Sequence, residues 1–302
     1  MRVAVTGAGG RLGRALVAAL ADAPFTGLGG PIAWTRSDFD LDRQDAFVGL
    51  LQRDRPEAVI HAAAWTDVDG CARDPDLARS RNGNATGELA RVCAGAGMDL
   101  VVVSTNEVFD GRRTDGRGYR PADEPAPINP YGASKLEGER QAIAAWERAG
   151  GGALGIVRSA WLYGPPGNDF PTKILAAADR ARSAGEPLRV VGDEYGTPTY
   201  AHDLADAIVE LLGSGDVSGV HHYVNAGTAS RGAWARELFR QAGVDVAIDE
   251  VPASTWPRAS TPPAWGVLEP TAPPSGEPLR PWAAALADYV PVLLRQRAAA
   301  AR

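Results

Sequence analysis

The segment Thr6-Gly7-Ala8-Gly9-Gly10-Arg11-Leu12-Gly13 narrows the folds open to this chain more than any other. It lies between an apolar run at 3–5 and an amphipathic stretch at 11–21, which read as a first strand and a first helix. Gly7, Gly10 and Gly13 recur at every third residue. Glycine at such places permits a tight turn, close approach of backbone to a pyrophosphate, and close packing of helix on strand. The unpaired N–H groups that open the helix then face the phosphates. A chain with 35 glycines makes such triplets by chance, but placement on the first strand–helix junction marks this one as a dinucleotide-binding loop.

The alternation continues. Strands are predicted at 32–34, 58–61, 100–103 and 154–157, and helices at 42–53, 76–94 and from 130 onward. Short apolar runs between amphipathic helices imply an α/β fold whose parallel sheet is buried on both faces. A polar loop at 105–129 follows the fourth strand, and loops of that length are commonly functional. Beyond 161 the rhythm loosens into helices near 170–184, 201–212 and 230–242, a Pro-rich crossing at 251–280 and a closing helix at 281–297. The expected organisation is a dinucleotide-binding unit over 1–160. A smaller, mainly substrate-binding lobe spans 161–302, with some segments returning to the first unit.

The net charge of −6 argues against a nucleic-acid partner or an anionic membrane surface. No apolar run approaches the roughly 18 residues of a membrane span, and no secretory leader is legible, so a cytoplasmic protein is expected. Cys71 and Cys93 form no C-x-x-C pair and read as buried apolar residues. His61, His202, His221 and His222 lack ligand spacing with acidic or thiol partners, which disfavours a metal-dependent hydrolase.

The second strand ends in Ala33-Trp34-Thr35-Arg36. An acidic residue there usually accompanies NAD, whereas an arginine can pair with a 2′-phosphate, so NADPH is favoured and NADH stays possible. Asp40 and Leu41 are candidates to flank the adenine.

Asn129-Pro130-Tyr131-Gly132-Ala133-Ser134-Lys135 contains Y-x-x-x-K. Asn129 suits a helix N-cap and Pro130 the first helical position, so Tyr131 and Lys135 share one face at i,i+4. A neighbouring ammonium and an oxidised nicotinamide are both expected to favour the phenolate and lower its pKa from the reference near 10. Tyr131 is then the candidate proton donor and acceptor, and Lys135 its support and a ligand of the nicotinamide ribose. Thr105, at the carboxyl end of the fourth strand, is the candidate hydroxyl that orients a substrate carbonyl.

These residues resemble the dTDP-4-dehydrorhamnose reductase family of extended short-chain dehydrogenases/reductases. The resemblance runs over nearly the whole chain. It includes Val59-Ile60-His61-Ala62-Ala63-Ala64-Trp65-Thr66, the 104–111 turn, 130–139, Arg158-Ser159-Ala160-Trp161-Leu162-Tyr163-Gly164 and Asp193-Glu194-Tyr195-Gly196-Thr197-Pro198-Thr199-Tyr200. It implies a Rossmann-type doubly wound sheet and reduction of the C4 ketone of a nucleotide-linked 4-keto-6-deoxy sugar. Thr105, Tyr131 and Lys135 would form the catalytic set, and Ala62, Ala63 and Ala64 would line the cofactor. Thr66 and Trp161 would approach the sugar, and Tyr195 and Thr197 the substrate nucleotide. A homodimer, sometimes bridged by magnesium, is also implied, with no ligands assignable.

The chain departs from the family at three places. S-T-D-Y-V-F-D-G appears as Ser104-Thr105-Asn106-Glu107-Val108-Phe109-Asp110-Gly111, Arg-Pro near the C-terminus as Pro262-Pro263-Ala264-Trp265, and Asn-Phe as Asp169-Phe170. All lie near expected substrate contacts, Glu107 among them. Nucleotide-sugar dehydratases carry T-D-E at this strand end, so dehydratase or epimerase chemistry is an alternative, although Asn106 cannot supply the proton their aspartate does. A non-catalytic dinucleotide-binding regulatory subunit is the other alternative.

Overall fold

The computed structural model describes residues 1–27 and 29–300. Its first elements are β1 (Val3–Thr6), α1 (Arg11–Asp22), β2 (Ile32–Trp34), α2 (Phe47–Asp54), β3 (Ala58–His61), α3 (Val68–Arg73) and α4 (Pro75–Ala78). Next come α5 (Ala85–Gly95), β4 (Asp99–Thr105), α6 (Pro130–Ala149), β5 (Leu154–Ser159), β6 (Leu162–Tyr163), α7 (Phe170–Ala184) and β7 (Leu188–Val191). The remainder comprises β8 (Tyr195–Gly196), β9 (Thr199–Tyr200), α8 (Ala201–Ser214), β10 (Gly219–His222), β11 (Ala229–Ser230), α9 (Arg231–Ala242), β12 (Ile248–Val251) and α10 (Trp282–Ala300).

Six strands form one parallel sheet in the order β10-β5-β4-β3-β1-β2. Successive strand residues point to opposite faces, and here both faces are covered. Val3, Val5, Ile60 and Val101 pack with Leu16 and Leu20 of α1 and Leu204 and Ile208 of α8. Ala4, Val59, Leu100 and Val102 pack with Phe47 of α2, Leu89 of α5 and Ala142 of α6. The expected doubly wound α/β sheet is what forms. The chain runs from β1 to β2 on one side and then to β3 on the other. That reversal opens a crevice at the carboxyl ends of β1 and β3, where such sheets take ligands.

Another core gathers Tyr163, Leu175, Trp234, Leu238, Leu286 and Tyr289 from β6, α7, α9 and α10. The crossing at 251–280 is irregular apart from a 3-10 turn at Ala253–Thr255, and it meets the loop after β4 through a bridge between Tyr119 and Leu268. No helix among the described residues is long and apolar enough to cross a membrane.

Two helices differ from expectation. The one expected at 42–53 starts as a 3-10 turn, Gln44–Ala46. The one expected at 76–94 is split by a π-helical turn, Arg79–Asn84. Its cause is Asn82, which accepts from Trp65 N at 2.8 Å and donates to Trp65 O and Ser134 Oγ, both at 3.1 Å. The widened turn brings that amide to the chain leaving β3, consistent with π-turns clustering at functional sites. Strand β10, not anticipated from sequence, adds an edge beside β5; four residues ending in two histidines give no apolar signature.

Candidate active site

A cleft of about 1340 Å³ opens over the carboxyl ends of the central strands. The glycine loop forms its floor. Gly7 has φ +66°, and a Cβ there would stand 2.9 Å from the Ala63 backbone. A Cβ on Gly13 would meet Gly7 O at 2.1 Å, whereas one on Gly9 would meet nothing within 4 Å. Gly7 and Gly13 thus let backbone pack on backbone, and the loop's outer side stays open. Helix α1 begins with no side-chain cap and no acidic residue in its first turn, as a phosphate-binding helix start requires.

The same cleft is lined by Gly10, Arg11 and Leu12 and by Arg36, Asp40 and Leu41 after β2. Ala62, Ala63, Ala64 and Thr66, beyond β3, complete that side. Arg36 is exposed at the rim. The residues present fit a dinucleotide: an open helix start for the diphosphate, small side chains beside it and a cation at the end of β2. Among the described residues, no group of three His, Cys, Asp or Glu side chains has an arrangement suited to a metal ion.

Thr105, Tyr131 and Lys135 meet at the corner where β4 gives way to α6, and all three line the cleft. Asn129 caps α6 by accepting from Gly132 N at 2.8 Å, with Pro130 in the first turn, as expected. Gly132 permits the close fit, since a Cβ there would lie 2.0 Å from Glu107 O. The Lys135 ammonium is buried and donates to Val103 O at 2.8 Å. Burial lowers its pKa to about 8, against the opposing charge of Glu139. Glu139 sits one turn further along α6 in a buried ion pair with Arg158, at 2.7 Å.

The Lys135 ammonium by itself does not bring the Tyr131 phenol down. Burial, then the nearby charge of Glu107, push the phenol above its ordinary value, and the Thr105 hydroxyl opposes this only in part. The Lys135 ammonium is engaged by a main-chain carbonyl instead. The half-buried Tyr131 is thus placed as a phenol that can donate its proton into the cleft.

The model of the family described as RmlD substrate binding domain matches residues 1–294. A dTDP-4-dehydrorhamnose reductase of Mycobacterium tuberculosis is 36% identical over 292 residues, covering 95% of this chain and 91% of its own length. A crystal structure of a dTDP-4-dehydrorhamnose reductase from Clostridium acetobutylicum superposes with a TM-score of 0.87 at 30% identity, covering 97% of this chain and all of its own. Another from Bacillus anthracis, in complex with NADP, gives 0.84 at 29% identity, covering 95% of this chain and 98% of its own. The chain belongs to the dTDP-4-dehydrorhamnose reductase family. It is an oxidoreductase of that kind.

The positions that depart from the family pattern have defined surroundings. Asn106 donates to Gly266 O at 3.0 Å and accepts from the Thr105 hydroxyl at 3.3 Å, so it ties the end of β4 to the Pro-rich crossing. Glu107 lines the cleft, and one carboxylate oxygen accepts from Asn129 Nδ2 at 2.7 Å. Burial raises its pKa, while Asn129 and the charges of Arg231 and Arg258 oppose the rise. Asp169 caps α7 through Thr172 N at 2.9 Å.

Trp161 also lines the cleft, with φ +43° and its ring stacked on Trp234 at 5.7 Å between centroids. Tyr195 and Thr197 do not reach the lining. Tyr195 is 38% exposed and leans on Trp265, and Thr197 is buried with its hydroxyl unpartnered.

Sequence reasoning missed a charged cluster on the far wall. The Arg231 guanidinium lies 3.6 Å from the Trp161 ring centroid. Buried Glu194 stands 3.4 Å from Arg231 and 3.5 Å from Arg258. One signal was available: Arg231 opens α9, where a cation opposes the helix dipole and needs a partner.

Proposed function

We propose that this protein uses NADPH to reduce the C4 ketone of a dTDP-linked 4-keto-6-deoxy sugar, dTDP-4-dehydrorhamnose or a close analogue. The observation that carries the reading is the meeting of Thr105, Tyr131 and Lys135 in the same cleft as the glycine loop. Bound NADPH supplies the hydride. Tyr131, on the wall of the cleft, delivers a proton to the sugar oxygen as negative charge builds there. Thr105 offers its hydroxyl to the same oxygen. Lys135 places positive charge at the base of α6 and holds the nicotinamide ribose.

On the cofactor side, Gly7, Gly10 and Gly13 leave room for the diphosphate and the main chain of Arg11 and Leu12 meets it. Arg36 takes the 2′-phosphate, Asp40 and Leu41 flank the adenine, and Ala62–Ala64 lie along the dinucleotide. Thr66, Glu107 and Trp161 contact the sugar, and Tyr195 and Thr197 act from behind the wall rather than on it. Two relatives bearing the reductase name and the NADP-bound relative support the substrate class and the cofactor. Asn106 also favours reduction over dehydration, because its amide is committed to Gly266 O.

The test is direct. Purified protein with NADPH and dTDP-4-keto-6-deoxy sugar should lose nicotinamide absorbance and yield the 4-hydroxy sugar by NMR. No oxidation with this or other nucleotide keto-sugars would overturn the reading. Loss of the 6-hydroxyl as water from a dTDP-hexose would replace it by dehydration.

A further inference from the structure

Arg11 is the first residue of α1, so its main chain belongs to the turn that faces the cleft. Its side chain reaches another loop, more than 150 positions away in sequence. Nε donates to Gly164 O at 2.9 Å and Nη2 to Gly167 O at 2.6 Å. The buried carboxylate of Asp169 stands 4.0 Å from Nε.

The loop is shaped around this cation. Gly164, Gly167 and Asn168 have φ of +135°, +106° and +60°, a left-handed sequence that turns the carbonyls of 164 and 167 to one guanidinium. Asp169 closes the loop on itself, accepting from Gly164 N at 2.9 Å and from Thr172 N at 2.9 Å. A cation at the first position of a helix opposes the helix dipole, and α1 carries no acidic residue in its first turn to offset it. All the compensation comes from the opposite wall. From that loop the chain enters α7, where Phe170 and Lys173 line the cleft across from the glycines.

We propose that Arg11 is a positioning residue that couples the two walls of the cleft. A ligand on the α1 N-terminus fixes the turn that carries Arg11. The guanidinium passes that order to the 164–169 loop and the start of α7, so cofactor and nucleotide sugar bind cooperatively. This rests on the reading of the cleft as an NADPH and dTDP-sugar site. Coupling of this kind is reciprocal, each ligand tightening the other by the same factor.

Titration calorimetry of the full chain tests it. For wild type, saturating dTDP should lower the NADPH Kd about fivefold or more, and NADPH should lower the dTDP Kd equally. Arg11→Met should bring that ratio close to one, and Arg11→Lys, which keeps the charge but not the fork, should fall between. The ratio cancels any loss of affinity for either ligand alone. Amide hydrogen exchange gives an independent readout: NADPH should slow exchange across 164–173 in wild type and not in Arg11→Met.

A folded Arg11→Met that keeps the ratio and the protection overturns the proposal, and so does a wild-type ratio of one. If Arg11→Met does not fold, an Arg11→Lys ratio equal to wild type overturns it and an intermediate one supports it. Failure of wild type to bind NADPH or dTDP at all overturns the functional reading, and the coupling with it.

Discussion

The Lys135 ammonium donates to the Val103 carbonyl at 2.8 Å, joining the helix that carries Tyr131 to the strand that ends in Thr105. This contact fixes the corner of the site and strips the ammonium of water. Its pKa falls from an ordinary 10.5 to about 8. Reductase kcat should therefore decline as pH rises through about 8, when the charge beside Tyr131 is lost. Folding stability should move the other way. Between about 8 and 10.5 the unfolded chain holds the proton that the folded chain has released, so Lys135 favours the folded state more as pH rises. A kcat profile flat through that window would count against the role.

Tyr131 presents its phenol on the wall of the cleft and should act as the proton donor in the reductive direction. Tyr131→Phe should lower kcat by about 10²-fold or more, with little change in Tm, because the ring is kept and only the hydroxyl is removed. Steady-state kinetics with a melting curve decide it, and near-normal turnover would remove Tyr131 from the mechanism.

Arg36 is exposed at the end of β2, beside the cleft. Arg36→Ala should raise the KM for NADPH about tenfold, the loss of a charged hydrogen bond to phosphate, and leave the KM for NADH nearly unchanged. An equal rise for both cofactors would mean that Arg36 does not read the 2′-phosphate.

Gly196 lies against the Trp161 indole, and a Cβ there would stand 2.4 Å from the ring. The indole cannot readily retreat, with Arg231 on the ring at 3.6 Å and Trp234 stacked nearby. Gly196→Ala should cost about 1–3 kcal/mol of stability, in line with overpacking elsewhere, and raise the KM for the sugar nucleotide more than that for NADPH. Unaltered Tm and sugar KM would show that the wall yields freely.

Much of this was legible from short stretches of sequence. The Gly7–Gly13 loop, the apolar strands and the Asn129–Pro130 helix start obey rules that act over a few residues. Those rules put Tyr131 and Lys135 on one face of α6 in the cleft. The π-turn at Arg79–Asn84 was not legible, because it answers to Trp65 and Ser134, which reach Asn82 only on folding. Nor was the far wall, where Arg231 and Arg258 share Glu194 across segments remote in sequence.

The sequence by itself determined the strand–helix alternation of the first half, the glycine loop and the spacing of the tyrosine and lysine, since backbone propensity and side-chain period are local. Tertiary structure alone decided the electrostatic surroundings of that pair. Spacing suggested an ammonium that lowers the phenol. Folding turned Lys135 to Val103 O and set the half-buried Tyr131 near the charge of Glu107, and such surroundings depend on neighbours that only the assembled fold supplies. It likewise sent the Arg11 side chain to Gly164 and Gly167, a reach that no local rule contains.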